Sequence, residues 1–368
     1  MDNVVEIDGS MGEGGGQILR TAVSLAGILR KPLRITNIRA RRKEPGLRPQ
    51  HLQAVVAAAK VSNSSLSGAQ VGSTQLEFFP MKQLPHKFAE QIDTGTAGSI
   101  SLIAQTLIPI SIFGGVEIDC RIIGGTEVPH SPTVDYLIDV VFPVYRKLGA
   151  EISMEIVRRG YYPRGGGIVR LCCKSSRPIK LESLVLIGEE RGNLQYPTSI
   201  KSVSSSLPEH VAKRQSAAAR RILEQAFNDS IRITEATNSA WTSLSPGSSV
   251  LVSSIGPSHF VGAVSLGERG KRSEIVGEEA ARIFLNECAC NPGVDTHLAD
   301  MLATLLPCVS GKSRFTTSGV SKHLETNIAV ARKLVPDCRF ETSIRKTSDK
   351  VQATYYEISV EGQAEKSN

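Results

Sequence analysis

The run Asp8-Gly9-Ser10-Met11-Gly12-Glu13-Gly14-Gly15-Gly16-Gln17-Ile18-Leu19-Arg20 follows a short alternating strand, Val4 to Ile7, and opens an apolar helix. A Gly-, Asp- or Thr-rich turn running into an apolar helix occurs twice more, as Gly95-Thr96-Ala97-Gly98-Ser99-Ile100 and as Asp295-Thr296-His297-Leu298-Ala299-Asp300. About thirty residues after each comes a second helix with a polar start: Pro49-Gln50-His51-Leu52, Ser131-Pro132-Thr133-Val134-Asp135-Tyr136 and Ser321-Lys322-His323-Leu324. β-like runs lie between and after these helices. The pattern reads as one βαβα-type unit used three times.

Spacing adds a second inference. Gly16 to Gly98 is 82 residues and Pro49 to Pro132 is 83, so the first two units share a period. Gly98 to His297 is 199 and Pro132 to His323 is 191, which leaves about 110 residues in excess before the third unit. The expected insertion runs from about Leu184 to Val276. It contains a basic amphipathic helix from Pro208 to Phe227, a Ser/Thr/Gly-rich stretch from Asn238 to Ser249 and a strand-like Ser249 to Ile255.

Composition narrows the classes. The 368 residues suffice for several compact units, and 40% hydrophobic with 21% charged residues excludes a disordered or fibrous chain. Aromatics are 5%, with Trp241 the single tryptophan, so aromatic stacking is not expected to be the main binding device. The longest apolar stretch, near Leu102 to Val116, is broken by Gln105, Thr106 and Pro109 and falls short of the ~20 residues a bilayer demands. Met1-Asp2-Asn3 lacks the basic and then apolar run of a signal peptide, so a cytoplasmic location with reduced cysteines is expected. None of the seven cysteines forms a C-x-x-C pair, which argues against a zinc cage. The net charge of +7 favours an anionic partner such as a nucleotide or nucleic acid.

Three clusters could carry chemistry. Glycines in the first loop let backbone N–H groups approach an anion at a positive helix end. The loop is neither a Walker A loop nor a clean dinucleotide fingerprint, and a tight turn that lets strand and helix pack closely explains it about as well. Glu13 and Arg20 sharpen the first reading, because a carboxylate suits a divalent metal bridging to phosphate and an arginine offers a fork to phosphate oxygens. The second cluster, Arg39 to His51, sets basic side chains on a loop stiffened by Pro45, Gly46 and Pro49, with Gln50 and His51 as neutral hydrogen-bonding groups. The third is Arg158-Arg159-Gly160-Tyr161-Tyr162-Pro163-Arg164-Gly165-Gly166-Gly167, whose tyrosines and arginines exceed what a hairpin turn needs. Finally, His51, His297 and His323 each stand at the start of a matched helix, where the dipole favours the neutral imidazole that nucleophilic attack on phosphorus requires.

Taken together, Asp8 to Arg20, Arg39 to His51, Gly124-Gly125-Thr126-Glu127-Val128-Pro129, Arg159 to Gly167, His297-Leu298-Ala299-Asp300 and His323-Leu324-Glu325-Thr326-Asn327 resemble the RNA 3′-terminal phosphate cyclase family over nearly the whole chain. The resemblance implies an α/β (α+β) fold: three repeated βαβαββ units form the main domain, with a smaller inserted α/β domain. The expected division is 1–183 for units one and two, 184–276 for the insert and 277–368 for unit three. It implies a ligase that uses ATP to convert an RNA 3′-terminal phosphate to a 2′,3′-cyclic phosphodiester through an enzyme-histidine-AMP and then an RNA-(3′)pp(5′)A intermediate. His323 matches the adenylated histidine. Gln105, His297, Leu298, Ala299, Asp300 and Met301 match ATP-binding positions, although many members carry Gln where this chain has Met301. Glu13 would help hold Mg²⁺ or Mn²⁺, and Arg20, Arg39, Arg42, Gln50 and His51 would orient phosphates of ATP or of the RNA end. A homodimer is left open. The runner-up reading is a non-catalytic relative acting as an RNA-processing or ribosome-assembly scaffold, which the presence of His323 disfavours. An enolpyruvyl-type transferase, also built of βαβαββ units, would need neither the Arg39–His51 cluster nor an insert before unit three.

Overall fold

A computed structural model describes residues 4–81, 83–174, 183–188, 197–227, 233–346 and 353–362. Its helices are α1 (Gly16–Leu29), α2 (Pro49–Val61), α3 (Ile100–Gly114), α4 (Val134–Tyr136, continuing through a π-helical Leu137–Val141 into Phe142–Lys147), α5 (His210–Phe227), α6 (Ser273–Cys288), α7 (Thr296–Leu305) and α8 (Lys322–Leu334). The chain is α+β, with strands and helices assembled into repeated units.

Three sheets share one topology. In the first, Val5–Asp8 pairs parallel with Leu33–Thr36, which pairs antiparallel with Leu76–Pro80, which in turn takes Ser64–Ser67 at the edge. In the second, Gln91–Asp93 and Lys87–Phe88 lie parallel to Glu117–Gly124, followed by Gly167–Lys174 and Glu151–Arg158. In the third, Val185–Leu186 lies parallel to Gly311–Thr317, followed by Thr354–Gly362 and Arg339–Lys346. Each unit thus places its last strand inside and its penultimate strand at the edge, which is what βαβαββ connectivity gives when short crossovers are kept and the final hairpin folds back.

The helices of the units share one core. α3 is apolar almost all round; Ile103, Leu107, Ile108 and Ile110 are buried, and it contacts both α1 and α2. Ser99 caps its start by accepting from the Leu102 N–H, and Gly115 ends it in the left-handed region. α1 contacts α8 as well, so units one and three meet along helices.

The insert is built on four strands, Ile233–Trp241, Thr198–Ser205, Gly247–Ile255 and Phe260–Leu266 in that spatial order, covered by α5 and α6. Its own core holds Ile200, Leu223, Val250, Val252, Val261, Val276 and Phe284. The pairing departs from the expected cut points at 184 and 276. Val185–Leu186 joins the sheet of unit three, and α6 packs on α5 with Val276, Ala280 and Phe284 in the insert's core. The excursion therefore sits inside unit three, between its first strand and its first helix α7. Val294, on the way back, bridges Phe260 on one side and Thr317 on the other, so the insert's sheet continues into that of unit three. The expected basic helix is present as α5, but its cations are matched: Lys213 with Glu209, Arg214 with Glu274, Arg220 with Glu224 and Arg221 with Glu278. A neutralised helix face is a poor magnet for RNA.

Phe284, wholly buried in the insert's core, gives a test. Phe284→Ala is expected to cost about 3–5 kcal/mol, read as an early unfolding transition in denaturant, whereas Ile344→Ser, at a side chain 68% exposed, should stay within about 0.5 kcal/mol of the parent.

Candidate active site

The glycine loop earns its glycines by contact. Gly12 sits at φ +55°, and a methyl there would lie 2.2 Å from Thr326 Oγ1 of α8. Gly16 could carry no side chain either, because its Cβ would fall 2.2 Å from His51 Nε2 and 3.1 Å from an Arg20 nitrogen. Close packing and site-building, the two readings of the loop, are therefore one fact: without side chains the loop lets α8 and α2 bring their first turns to the start of α1.

Around this point the sequence-predicted residues converge in two groups. Glu13 Oε2 lies 3.3 Å from His323 Nδ1 and 3.3 Å from Arg42 Nη2. The Glu13 N–H donates to Thr326 Oγ1 (3.4 Å), which itself donates to the Lys322 carbonyl one turn back. His323 is half-buried on the first turn of α8, whose cap is Ser321, accepting from the Leu324 N–H at 2.9 Å. Burial is the main cause that lowers the His323 pKa; Glu13 opposes it, while Arg20, His297 and Arg42 reinforce it, so the imidazole is held neutral.

The second group is Arg20 with His51. Arg20 donates to Gln17 Oε1 at 2.6 Å, its Nε has no partner, and burial draws its pKa down to about 10, which leaves it a cation at neutral pH. His51 is buried at the start of α2, and its Nδ1 accepts from the Arg48 N–H at 3.4 Å. Burial first, then Arg20, Arg39 and Arg48, push its pKa to about 3. His51 is thus a permanently neutral ring with Nε2 toward the glycine loop, suited to hydrogen bonding and not to charge.

The remaining expected residues are spread around these groups. Gln50 Oε1 accepts from the Ser99 N–H (3.3 Å), tying α2 to the start of α3. Arg39 donates to the carbonyls of Glu44 (2.8 Å) and Gly46 (3.1 Å), which spends part of its fork on shaping its own loop. Gln105 Nε2 is buried without a partner and faces a small cavity with Gln17, Arg20, Thr21, Tyr145, Met301 and Thr304. Asp300 accepts from Ser321 Oγ, and burial raises its pKa to about 7 with Asp295 and Glu13 adding to the rise. Along α7, His297 is exposed, whereas Leu298 and Ala299 are wholly buried and serve the core, and Met301 lines the Gln105 cavity with an apolar surface.

Sequence reasoning misplaced the weight of one cluster. Arg159 is buried; it donates to Glu127 and, at 2.6 and 3.2 Å, to the two carboxylate oxygens of Asp135, which also meets Lys201 of the insert at 3.3 Å. Tyr161 is buried as well, against Gly247 of the insert. Arg159, in the segment whose arginines exceed what a hairpin needs, is a structural cation between unit two and the insert, because a buried guanidinium needs its carboxylates. Missed altogether were Thr21, which donates to Asn327 Oδ1 at 2.8 Å, and Asn327, which donates to the Asp300 carbonyl at 2.7 Å. Asn327 closes the motif that contains His323, whereas no sequence signal marked Thr21.

Among the described residues no group of three or more His, Cys, Asp or Glu side chains could hold a metal ion. Beside His323 the site offers the carboxylate of Glu13, 3.3 Å away. That donor set fits a hard cation that keeps most of its waters and is carried in on phosphate oxygens, as Mg²⁺ is, and it does not fit an all-protein cage.

A family model described as RNA 3′-terminal phosphate cyclase matches residues 11–341. Proteins named RNA 3′-terminal phosphate cyclase are similar over their length: one from Ignicoccus hospitalis is 40% identical over 347 residues, covering 92% of this chain and 95% of that protein. One from Saccharolobus islandicus is 43% identical over 342 residues, with 92% and 96% covered. One from Pyrobaculum aerophilum is 41% identical over 361 residues, with 97% and 98% covered.

The neutral His51 has a consequence for stability. Its folded pKa of about 3 lies below the ordinary 6.5, so from pH 6.5 down to about 3 the unfolded ring binds a proton that the folded ring refuses. The contribution is complete above pH 6.5 and is lost as pH falls through this window. His51→Gln is expected to flatten the fall of Tm between pH 7 and pH 4; an unchanged slope would assign the acid sensitivity elsewhere.

Proposed function

Because the chain belongs to the RNA 3′-terminal phosphate cyclase family, we propose that it converts an RNA 3′-terminal phosphate into a 2′,3′-cyclic phosphodiester at the expense of ATP, with His323 as the residue that carries AMP. The observation that bears most weight is the environment of that imidazole: neutral, half-exposed, and 3.3 Å through Nδ1 from Glu13. A proton on Nδ1 is favoured by the carboxylate beside it, and this tautomer leaves the lone pair on Nε2 for attack.

The chemistry runs in three displacements. Nε2 attacks the α-phosphorus of ATP; the bond to the β-phosphate oxygen breaks, and pyrophosphate leaves with the electron pair. An oxygen of the RNA 3′-phosphate then attacks the same phosphorus, the P–N bond breaks, and the imidazole is regenerated. Last, the 2′-hydroxyl attacks the 3′-phosphorus, loses its proton and expels AMP. The second displacement turns a poor leaving group into a good one, and the third needs mainly proximity, because both partners share one ribose.

The side chains supply what these steps demand. A neutral nucleophile can approach a polyanion only where the charge is offset, and Arg20 and Arg42 are the arginines whose charge acts on the reacting ring. His51 Nε2 and the N–H groups at the start of α1 add uncharged hydrogen-bonding capacity at the loop. Glu13 is the carboxylate for a divalent cation, Mg²⁺ or Mn²⁺, whose contribution when bound is to neutralise phosphate charge and polarise the α-phosphorus. The Gln105 cavity and α7 supply walls for the nucleoside.

Incubation with ATP labelled at the α-phosphate should leave label on the denatured protein, mapped to the peptide that contains His323, and His323→Ala should abolish it. Stable folding without any label on the parent protein would instead indicate a non-catalytic member of the family.

A further inference from the structure

The first turn of α7 is tied through its cap to groups from outside unit three. Asp295, with no exposed surface, caps the helix: its Oδ1 accepts from the His297 and Leu298 N–H groups, both at 2.9 Å. The same oxygen accepts from the Tyr136 hydroxyl of α4, in unit two, at 2.7 Å. Its other oxygen accepts from the Gly262 N–H of the insert at 2.9 Å. A second carboxylate, Glu287 in the last turn of α6, accepts from the Thr296 N–H (3.2 Å), from Thr296 Oγ1 (3.1 Å) and from Ser318 Oγ. The fit is tight, since a methyl on Gly262 would stand 2.7 Å from Val140 and 3.1 Å from the Tyr136 ring.

Two carboxylates on three consecutive N–H groups are more than capping requires. One acceptor suffices to stabilise a helix start, and a buried carboxylate is costly unless its lone pairs are filled. What the arrangement adds is direction: hydrogen bonds from unit two and from two elements of the insert fix where the helix begins and how it is rotated. α7 also carries His297, Asp300 and Met301, and Asp300 reaches the Ser321 cap of the helix that presents His323. A loss of about 1 Å in such a scaffold is enough to reduce binding or rate strongly.

We infer that the inserted domain acts as a buttress for the nucleotide site: Glu287 and Asp295, with Tyr136 and Gly262, are positioning residues that set α7 and through it the side chains facing ATP. The inference rests on the reading of α7 as a wall of the ATP site. None of the four touches the reacting atoms.

The test uses the full-length protein and an ATP analogue with an α,β-methylene bridge, which binds without transferring AMP. Glu287→Ala and Tyr136→Phe should each weaken analogue binding, measured by calorimetry, by about fivefold or more. Glu287→Gln, which keeps an acceptor for the Thr296 N–H, should restore affinity to within about twofold of the parent. Glu278→Ala, on the same helix but paired with Arg221 at the surface, should leave it unchanged. Tyr136→Phe keeps the core volume, so it reports even where Glu287→Ala folds poorly. Parent-like affinity in both variants, with only a fall in Tm, would overturn the buttress. A parent that binds the analogue but takes no label at His323 would overturn the histidine mechanism and leave the buttress standing.

Discussion

The hydrogen bond from Thr21 Oγ1 to Asn327 Oδ1, 2.8 Å long and shut away from water, joins the first helix of the chain to the last. Asn327 uses its amide N–H on the Asp300 carbonyl, so one side chain ties three helices. Further along, Lys31 donates to the Leu334 carbonyl at the end of α8, where a cation also suits the helix dipole. At the other end, Thr326 meets the glycine loop. α8 is therefore located by unit one at its start, middle and finish. His323 comes to Glu13 because of these contacts, and any unpaired amide left by breaking them would cost about 1–3 kcal/mol.

The electrostatic design separates two imidazoles that the sequence presents alike. His51 is buried, surrounded by arginines and engaged through Nδ1 by its own helix's entry, so it is fixed as a neutral hydrogen-bonding group. His323 is half-exposed, faces a carboxylate and keeps one nitrogen uncommitted. The difference is made by tertiary surroundings: the same residue type in the first turn of matched helices becomes a support in unit one and a nucleophile candidate in unit three.

How much of this was legible depended on range. The three units were legible, because turn-to-helix transitions and their spacing are local properties, and an excess of about 110 residues cannot be hidden. The edges of the insert were not. Val185–Leu186 is a two-residue strand recognised only by its partner Gly311–Thr317, and α6 shows no local mark of which core its Val276 and Phe284 will enter. Arg159 was misjudged for the same reason, since nothing near it in the chain announces Glu127 and Asp135 as its counter-charges. Glu287 was invisible, because nothing near it in the chain marks Thr296 and Ser318 as its partners. Glu13, Arg42 and His323, by contrast, lay in motifs that carried the resemblance to the family.

Gly188 and Gly293 both give their N–H groups to one hydroxyl, Thr316 Oγ1, at 3.1 and 2.8 Å. The polypeptide thus departs from unit three and rejoins it at a single point, as a side road leaves and regains a highway at one junction. Topologically that junction is the third counterpart of the glycine loop of unit one and of the Thr94–Ser99 turn of unit two. A lineage could enlarge, trim or exchange what hangs there while the threefold body stays closed, and whatever hangs there borders the start of α7 by construction. The geometry makes this one connection the place where members of such an architecture can diverge most cheaply.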